Sequence, residues 1–287
     1  MPGHCVLPPP GRVAAAAIAC LLAAACGSPA TRAPSPAAEK ALAHNQAGTR
    51  ALSGGNLPAA LAQYRESLAG AESIEDFELA AANLLNIAFV HQQLGQWREA
   101  HTASDRIIAA PQRYGKVATA GAAARKAFIH LDEGDADAAL RWSDAAEHDC
   151  PAPCAPLAAL ENLRAHVALE RSQTDAALRH ASRAAGLAPA PGAEHANAQR
   201  LLGRAQTASG RFAEAAQSLA AALALDRQLG LSGRIALDLL YAGDNEAKRN
   251  DTARAREFYQ RAAAVFAASS DAQGARTAGS RLEALAR

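Results

Sequence analysis

A unit of about forty residues recurs six times along this chain, and that repeat limits the fold more than any other feature. Six small residues mark equivalent positions and are separated by 40, 39, 38, 38 and 40 positions. We call them the anchors. They are Gly48, Ala88, Ala127, Ala165, Gly203 and Gly243.

Two further positions repeat in register with the anchors. Seven residues after each anchor stands a residue that favours turns, and twelve residues after each anchor stands an alanine. The turn residues are Gly55, Gly95, Gly134, Ser172, Gly210 and Asn250. Alanine alone would be weak evidence in so alanine-rich a chain. Glycine is more informative, since only 20 of 287 residues are glycine and four of them fill these six turns.

The repeat predicts a helical hairpin in each unit. A small anchor lets the first helix approach its neighbour, the turn residue reverses the chain, and the alanine lies where the two helices cross. Aromatic residues make up only 4% of the chain, which disfavours β-sandwiches and barrels. We therefore expect an all-α protein. Its predicted aromatic core is Tyr64, Trp97, Trp142, Phe212 and Tyr259.

Residues 94–100 (LGQWREA) and 209–215 (SGRFAEA) carry a resemblance to a known repeat. They resemble the tetratricopeptide repeat, and the likeness extends over about residues 40–287. The common form of that repeat is shorter, at 34 residues. The resemblance implies a right-handed α-solenoid of about thirteen helices. We expect six hairpins over residues 39–270 and a capping helix over 271–287, because the last hairpin would otherwise expose an apolar face.

The N-terminus has the features of an export signal. An apolar run over residues 13–25 is too short to span a bilayer but has the length of a signal-peptide core. Residues 22–28 (LAAACGS) resemble a bacterial lipoprotein box. This implies a signal peptide over 1–25, a lipid on Cys26 and a flexible tether over 26–38. The same resemblance implies the outer membrane, facing the periplasm, because Gly27 stands where some lipoproteins carry an aspartate that retains them at the inner membrane. The alternative is an ordinary secretory signal with no lipid.

Composition and motifs exclude several function classes. A formal net charge of +1 argues against binding nucleic acid through basicity. The sequence has no phosphate-binding glycine loop, nucleophile elbow or zinc-hydrolase helix motif. We therefore expect neither an enzyme nor a cofactor.

The histidines are predicted to be structural, with no metal site among them. His91 and His130 share one position in adjacent repeats, about 10 Å apart if their helices pack normally. That separation is too large for two ligands of one metal ion, whose bonds to nitrogen are about 2 Å long.

Cys150 and Cys154 stand in the link between the third and fourth repeats, next to His148. Outside the cytoplasm, two cysteines four apart usually form a disulfide. A soft-metal site using His148 and both thiolates, or a redox pair, remains open as an alternative. The rival function is accordingly a periplasmic metal- or redox-handling protein built on these cysteines.

Proteins that resemble this one bind partners on the concave face formed by their first helices. Helical spacing places three positions of each repeat on that face: three before, two before and one after the anchor. We predict a groove for an extended protein or peptide, with arginines holding its acidic part near repeats three to five. The candidate groove residues are Asn45, Asn86, Phe89, Arg125, Phe128, Asn162, His166, Arg200, Arg204 and Asp244.

The resulting expectation is a lipid-anchored scaffold that recruits proteins in envelope assembly. The resemblance suggests pilus, outer-membrane protein or cell-wall machinery, without choosing among them. Self-association of the repeats is an open alternative.

Overall fold

The computed structural model describes residues 35–286, and within that range thirteen α-helices follow one another without a β-strand. The helices are α1 (Pro36–Ser53), α2 (Leu57–Ser73), α3 (Phe77–Gln93), α4 (Trp97–Ile108), α5 (Pro111–Asp132), α6 (Ala136–Asp149), α7 (Leu157–Glu170), α8 (Thr174–Leu187), α9 (Ala193–Ala208), α10 (Phe212–Gln228), α11 (Ser232–Lys248), α12 (Thr252–Ala268) and α13 (Ala272–Ala284).

The helices form six antiparallel hairpins, and α13 packs on the last of them. Each hairpin pairs an odd-numbered first helix with the even-numbered second helix that follows it. Consecutive first helices also touch each other, whereas second helices contact mainly the helices beside them in sequence. The first helices therefore line the inner face of the array, and the predicted α-solenoid with a terminal capping helix is confirmed.

The predicted turns all adopt the backbone conformation that their residues favour. Gly55, Gly95, Gly134 and Gly210 have φ between 68° and 82°. Ser172 and Asn250 adopt the same left-handed region at φ 57° and 65°. Glycine has no Cβ to oppose this conformation, and asparagine tolerates it better than most residues do. The turn position of the repeat is therefore set by backbone geometry.

Each anchor packs against the residue sixteen positions later in the second helix, and the two sizes compensate. A Cβ on Gly48 would lie 2.7 Å from the Tyr64 ring, and one on Gly203 would lie 2.6 Å from Leu219. The three alanine anchors instead have small residues sixteen positions later. These are Ser104, Ser143 and Ala181, all fully buried. The six crossing alanines are fully buried as well.

The aromatic residues predicted for the core are not equally enclosed. Tyr64 and Tyr259 are only 1% and 2% exposed. Trp97, Trp142 and Phe212 are half-buried.

At its N-terminal end the first helix begins at Pro36, within the predicted tether. Proline suits the first position of a helix, where its missing N–H is not needed. The predicted signal peptide, Cys26 and most of the tether lie outside the described residues. Among the helices described, none is long and apolar enough to cross a membrane.

The third and fourth hairpins meet differently from the others. The backbones of α6 and α7 approach each other at few points, and a loop of residues 150–156 separates the two helices. Ionic contacts add to the apolar cluster that both helices share: Arg164 of α7 reaches Asp144 and Glu147 of α6, at 2.9 and 2.5 Å. It also contacts the fully buried Glu161 at 2.6 Å. This junction therefore combines buried charges with apolar packing.

Candidate binding groove

Two concavities lie along the inner face, and both are lined mainly by first helices. The middle pocket, of about 300 Å³, lies among α5, α7, α9 and α11. The C-terminal pocket, of about 530 Å³, lies among α7, α9, α11 and the capping helix. Five of the ten predicted groove residues line them: Phe128, Asn162 and His166 in the middle pocket, Arg204 and Asp244 in the C-terminal one.

The position one after the anchor faces these pockets most consistently. His166, Arg204 and Asp244 occupy it in the last three hairpins, and Phe128 occupies it in the third. All four are half-buried. Phe89 has the same place in the second hairpin and is half-buried too. An α-helix turns by about 100° per residue. The residue after each anchor therefore points away from the helix that the anchor contacts and lies on the inner face.

The position three before the anchor points elsewhere. Asn45 donates to Asn83 of the next first helix at 3.0 Å. Asn162 donates both to the backbone oxygen and to the carboxylate of Glu194 at 3.0 Å. This position therefore ties neighbouring first helices together, and Asn162 reaches the pocket only at its side.

Arg200 occupies the same position and corrects the prediction. Its side chain is 5% exposed, and it forms ion pairs with Asp226 and, at 2.6 Å, with Asp238. Both carboxylates are fully buried. Arg200 is therefore a structural group inside the array and offers no charge to a ligand in the groove. Helical spacing alone did not show that carboxylates from α10 and α11 enclose the Arg200 side chain.

Arg125 lies at the position two before the anchor and is also largely engaged. Its guanidinium lies 4.9 Å from the centre of the Phe89 ring and donates to Gln92 at 3.1 Å. Burial lowers the pKa of Arg125 from its usual value. Asn86, at this position one repeat earlier, is half-buried. Arg125 and Phe89 thus join two hairpins across the inner face.

The C-terminal pocket has a cationic rim. Arg204 stacks on Tyr241 at 4.5 Å and contacts the exposed Glu170 at 3.3 Å. Lys248 and Arg281 also line the pocket. Residue spacing missed both, because Lys248 lies beyond the three chosen positions and Arg281 belongs to the cap.

Among the described residues, Asp244 is the one acidic side chain that lines the C-terminal pocket, and two neighbours occupy it. Arg281 lies 3.1 Å from Asp244 and the Tyr259 hydroxyl donates to it at 2.8 Å. Burial, with Asp244 nearby, raises the pKa of Tyr259 well above its usual range. The Tyr259 phenol therefore stays protonated and keeps its hydrogen bond to Asp244, while Arg281 pairs with the same carboxylate. Arg204 and Lys248 are the cationic side chains of this pocket that remain for a ligand.

The middle pocket is lined by apolar and by polar or charged side chains in equal number. Phe128, Leu131, Leu163 and Leu201 line it together with His166. Burial, and then the nearby Arg204, lower the pKa of His166. The imidazole is therefore neutral at pH 7 and can donate or accept a hydrogen bond.

A cluster of two histidines and one carboxylate lies outside the groove. Glu133 Oε2 is 3.1 Å from Nε2 of His101 and 3.0 Å from Nδ1 of His130. The two rings are 4.5 Å apart. Burial, followed by the nearby His101, lowers the pKa of His130. The sequence analysis compared His130 only with His91 and predicted that those two lie too far apart to hold one metal ion. The packing of α4 against α5 is what brings His101 beside His130 and Glu133.

His91 is instead a packing residue. It is 5% exposed, and its Nδ1 lies 2.6 Å from the amide oxygen of Gln96.

Cys150 and Cys154 are joined by a disulfide, with their Cα atoms 5.4 Å apart. The bond closes the loop between α6 and α7. It also occupies both sulfurs that the alternative soft-metal site would need, while the His148 side chain lies in solvent against Asp149.

Comparison with known proteins gives the fold a family context. No protein-family model matches the sequence, and no curated protein is detectably similar to it. Solved structures do resemble it. A Rap protein complexed with Competence and Sporulation Factor matches with a TM-score of 0.63 at 17% identity, over 86% of this chain and 71% of the other.

Two further structures are named for the repeat itself. A signal-transduction ATPase with a tetratricopeptide-repeat sensor, from Pyrococcus horikoshii, matches with a TM-score of 0.65 at 13% identity, over 86% of this chain and 38% of the other. A thermophilic repeat protein from Thermus thermophilus matches with a TM-score of 0.50 at 21% identity, over 70% and 99%. Together with the six hairpins and their turns, these likenesses show that the chain has the tetratricopeptide-repeat fold.

Proposed function

We propose that this protein is a binding scaffold whose inner face holds an extended segment of a partner protein. The observation that supports this proposal most is a pair of pockets on a single face of the array, one with an apolar part around Phe128 and one with a cationic rim. Apolar side chains of the partner would enter the middle pocket. A carboxylate, from an acidic side chain or a chain end, would contact Arg204 and Lys248.

Three features support this occupant. The first helices present side chains while their backbones remain hydrogen-bonded, so a partner must be recognised through side chains. The apolar floor around Phe128 and the neutral His166 suit an aliphatic or amide-bearing residue. The structurally similar Rap protein was solved with a bound factor, which agrees with a binding role for this fold.

We further propose that a lipid on Cys26 anchors the scaffold, in a bacterial envelope, at the outer membrane. The support is the lipoprotein-like sequence around Cys26 and the disulfide, which suits an oxidising compartment. Recruitment of partners into an envelope-assembly machine follows from that location, and the fold favours no particular machine.

Site-specific photocrosslinking tests the groove. A benzoyl-phenylalanine placed at Phe128 should yield adducts with the partner in native membranes. Phe258 is the matched control, since it is also a half-buried aromatic residue but belongs to the second helix α12. Adducts of equal yield at both positions, or adducts only with the protein itself, would contradict the proposed groove.

Charge reversal tests the cationic pocket. Arg204→Glu with Lys248→Glu should weaken capture of the crosslinked partner by more than about tenfold, because paired donors hold a carboxylate strongly. Arg227→Glu with Arg256→Glu changes the net charge equally on the exposed surfaces of α10 and α12. Equal capture by the two double variants, both with wild-type helicity, would rule out the acidic-group contact.

Labelling with a palmitate analogue tests the anchor separately. Incorporation should be lost in Cys26→Ser, and that variant should leave the membrane fraction. An unlabelled wild-type chain would refute the lipid and leave the groove proposal standing.

A further inference from the structure

We infer that His101, His130 and Glu133 form a site for a divalent transition-metal ion of the zinc type. The three residues come from two hairpins. His101 lies one turn into α4, His130 lies in the last turn of α5, and Glu133 directly follows that helix. One ligand atom from each lies within 4.8 Å of the other two. The site therefore spans the contact between the second and third hairpins.

The geometry converges on one carboxylate oxygen. Nε2 of His101 and Nδ1 of His130 both approach Oε2 of Glu133, at 3.1 and 3.0 Å. Zinc bonds of about 2.0–2.1 Å in a tetrahedral site place ligand atoms roughly 3.3–3.4 Å apart. The two contacts to Glu133 are therefore a few tenths of an ångström shorter than a bound ion requires, and rotations of the exposed Glu133 and the half-buried histidine side chains can adjust them.

Hydrogen bonding leaves the cluster incompletely satisfied. His101 Nε2 is aligned for a hydrogen bond to Glu133. Nδ1 of His130 is equally close to that oxygen but is not aligned for one, and it is a buried nitrogen without a hydrogen-bond partner among the described residues. Buried polar atoms normally have partners, and exceptions need an explanation. A metal ion bound between the nitrogens and the carboxylate would provide one.

The surroundings set the class of ion and the number of ligands. Two imidazoles and one carboxylate suit zinc, nickel or copper, whereas calcium and magnesium prefer sites made of oxygen alone. Three protein ligands leave at least one position for water or for a partner's side chain. The ammonium of Lys126, a cation whose charge acts on His130, is paired with Asp105 at 2.5 Å and lies over Trp142. Its repulsion of the ion is thereby reduced.

Zinc titration of the full chain, made without a polyhistidine tag, tests the site. Calorimetry should show that wild type binds one more zinc ion per chain than His101→Gln and Glu133→Gln do, or binds that ion more than about tenfold more tightly. Counting the difference removes any zinc held by the N-terminal cysteines. His148→Gln is the matched control, because His148 lies at the far end of α6.

Thermal unfolding provides a second readout. Zinc should raise the unfolding midpoint of wild type and of His148→Gln, because an ion that bridges two hairpins binds only the folded chain. It should raise that of the two site variants less. Circular dichroism shows whether each variant is folded. If one of the two site variants misfolds, the other still tests the inference. Zinc stoichiometry and affinity that are the same in wild type and both site variants would overturn the inference.

Discussion

At the scale of single residues, the anchor and the residue sixteen positions later vary in size in opposite directions, so that their combined volume changes little. Where the anchor is glycine, the residue sixteen positions later is tyrosine or leucine, and where it is alanine, that residue is serine or alanine. Close packing leaves no room for both side chains to be large. The helices can therefore keep one spacing while the side chains between them vary.

This packing predicts that Gly243→Ala is destabilising, although alanine usually favours a helix over glycine. The new Cβ would lie 2.5 Å from the ring of Tyr259, which is buried and held by Asp244. We expect a loss of about 1–3 kcal/mol in the free energy of unfolding, measured with urea. Gly279→Ala in α13 is the control, since nothing lies within 4 Å of its Cβ. It should gain up to about 1 kcal/mol. Equal effects of the two would refute the contact.

The ion pairs around Arg200 predict a pH dependence. One guanidinium faces two buried carboxylates, so one of the two negative charges is uncompensated. Burial is the main cause that raises the pKa of Asp238 to about 7. An acid with a raised pKa binds more protons in the folded than in the unfolded chain. Its contribution to the free energy of unfolding therefore falls as pH rises from about 4 to about 7.

Asp238→Asn removes this titration and nearly keeps the shape of the side chain. The stability of the variant relative to wild type should rise between pH 4.5 and pH 7.5, as measured by urea unfolding at several pH values. Subtraction of the wild-type curve cancels the titration of the remaining groups. A difference that is constant, or that falls with pH, would contradict the assigned pKa.

At the scale of helices, the junction of α6 and α7 contains a cluster of buried charges. Arg164 is 8% exposed and contacts three carboxylates, of which Glu161 is fully buried. Removal of one partner from a buried pair leaves the other charge without compensation. His180 and Arg183 still contact Glu161 in that case, at 2.7 and 2.9 Å.

We therefore expect Arg164→Ala to lower the free energy of unfolding by about 3 kcal/mol, toward the lower end of measured values for buried pairs. Arg171→Ala is the matched control. It breaks an ion pair with Asp137 between the same two helices, but at the surface, and should cost less than about 1 kcal/mol. Urea denaturation measures both. A similar small loss in the two variants would show that this junction does not depend on its buried charges.

At the scale of the whole array, the capping helix closes the last apolar surface. Phe266 of α12 is 2% exposed because α13 covers it, and Ala278, Leu282 and Leu285 pack in the same cluster. Gly274 makes this possible, since a Cβ there would collide with the Phe266 ring.

Deletion of residues 271–287 should accordingly destabilise the last hairpin and promote self-association. Exposure of Phe266 alone costs about 1.5–3 kcal/mol. Thermal unfolding and sedimentation at several concentrations measure the two effects. Deletion of residues 286–287 alone, beyond the end of α13, is the control. A monomer of unchanged stability after the longer deletion would show that α13 is not a cap.

The sequence determined the number of hairpins, their turns and their crossing points. Those features depend on backbone conformation and on residue volume, which each residue carries with it: a left-handed turn favours glycine or asparagine, and a close crossing needs a small side chain. It also placed Phe128, His166, Arg204 and Asp244 on the inner face, because helical periodicity is local.

Only the tertiary structure decided which of those side chains are free to act. Arg200 has the same spacing as a groove residue but is enclosed by carboxylates from α10 and α11, so packing turns a predicted binding group into a structural one. The cluster of His101 with His130 and the pairing of Arg281 with Asp244 also depend on contacts between different helices. A repeat fixes what lies on each helix, whereas the angle and depth at which helices pack decide which charges meet.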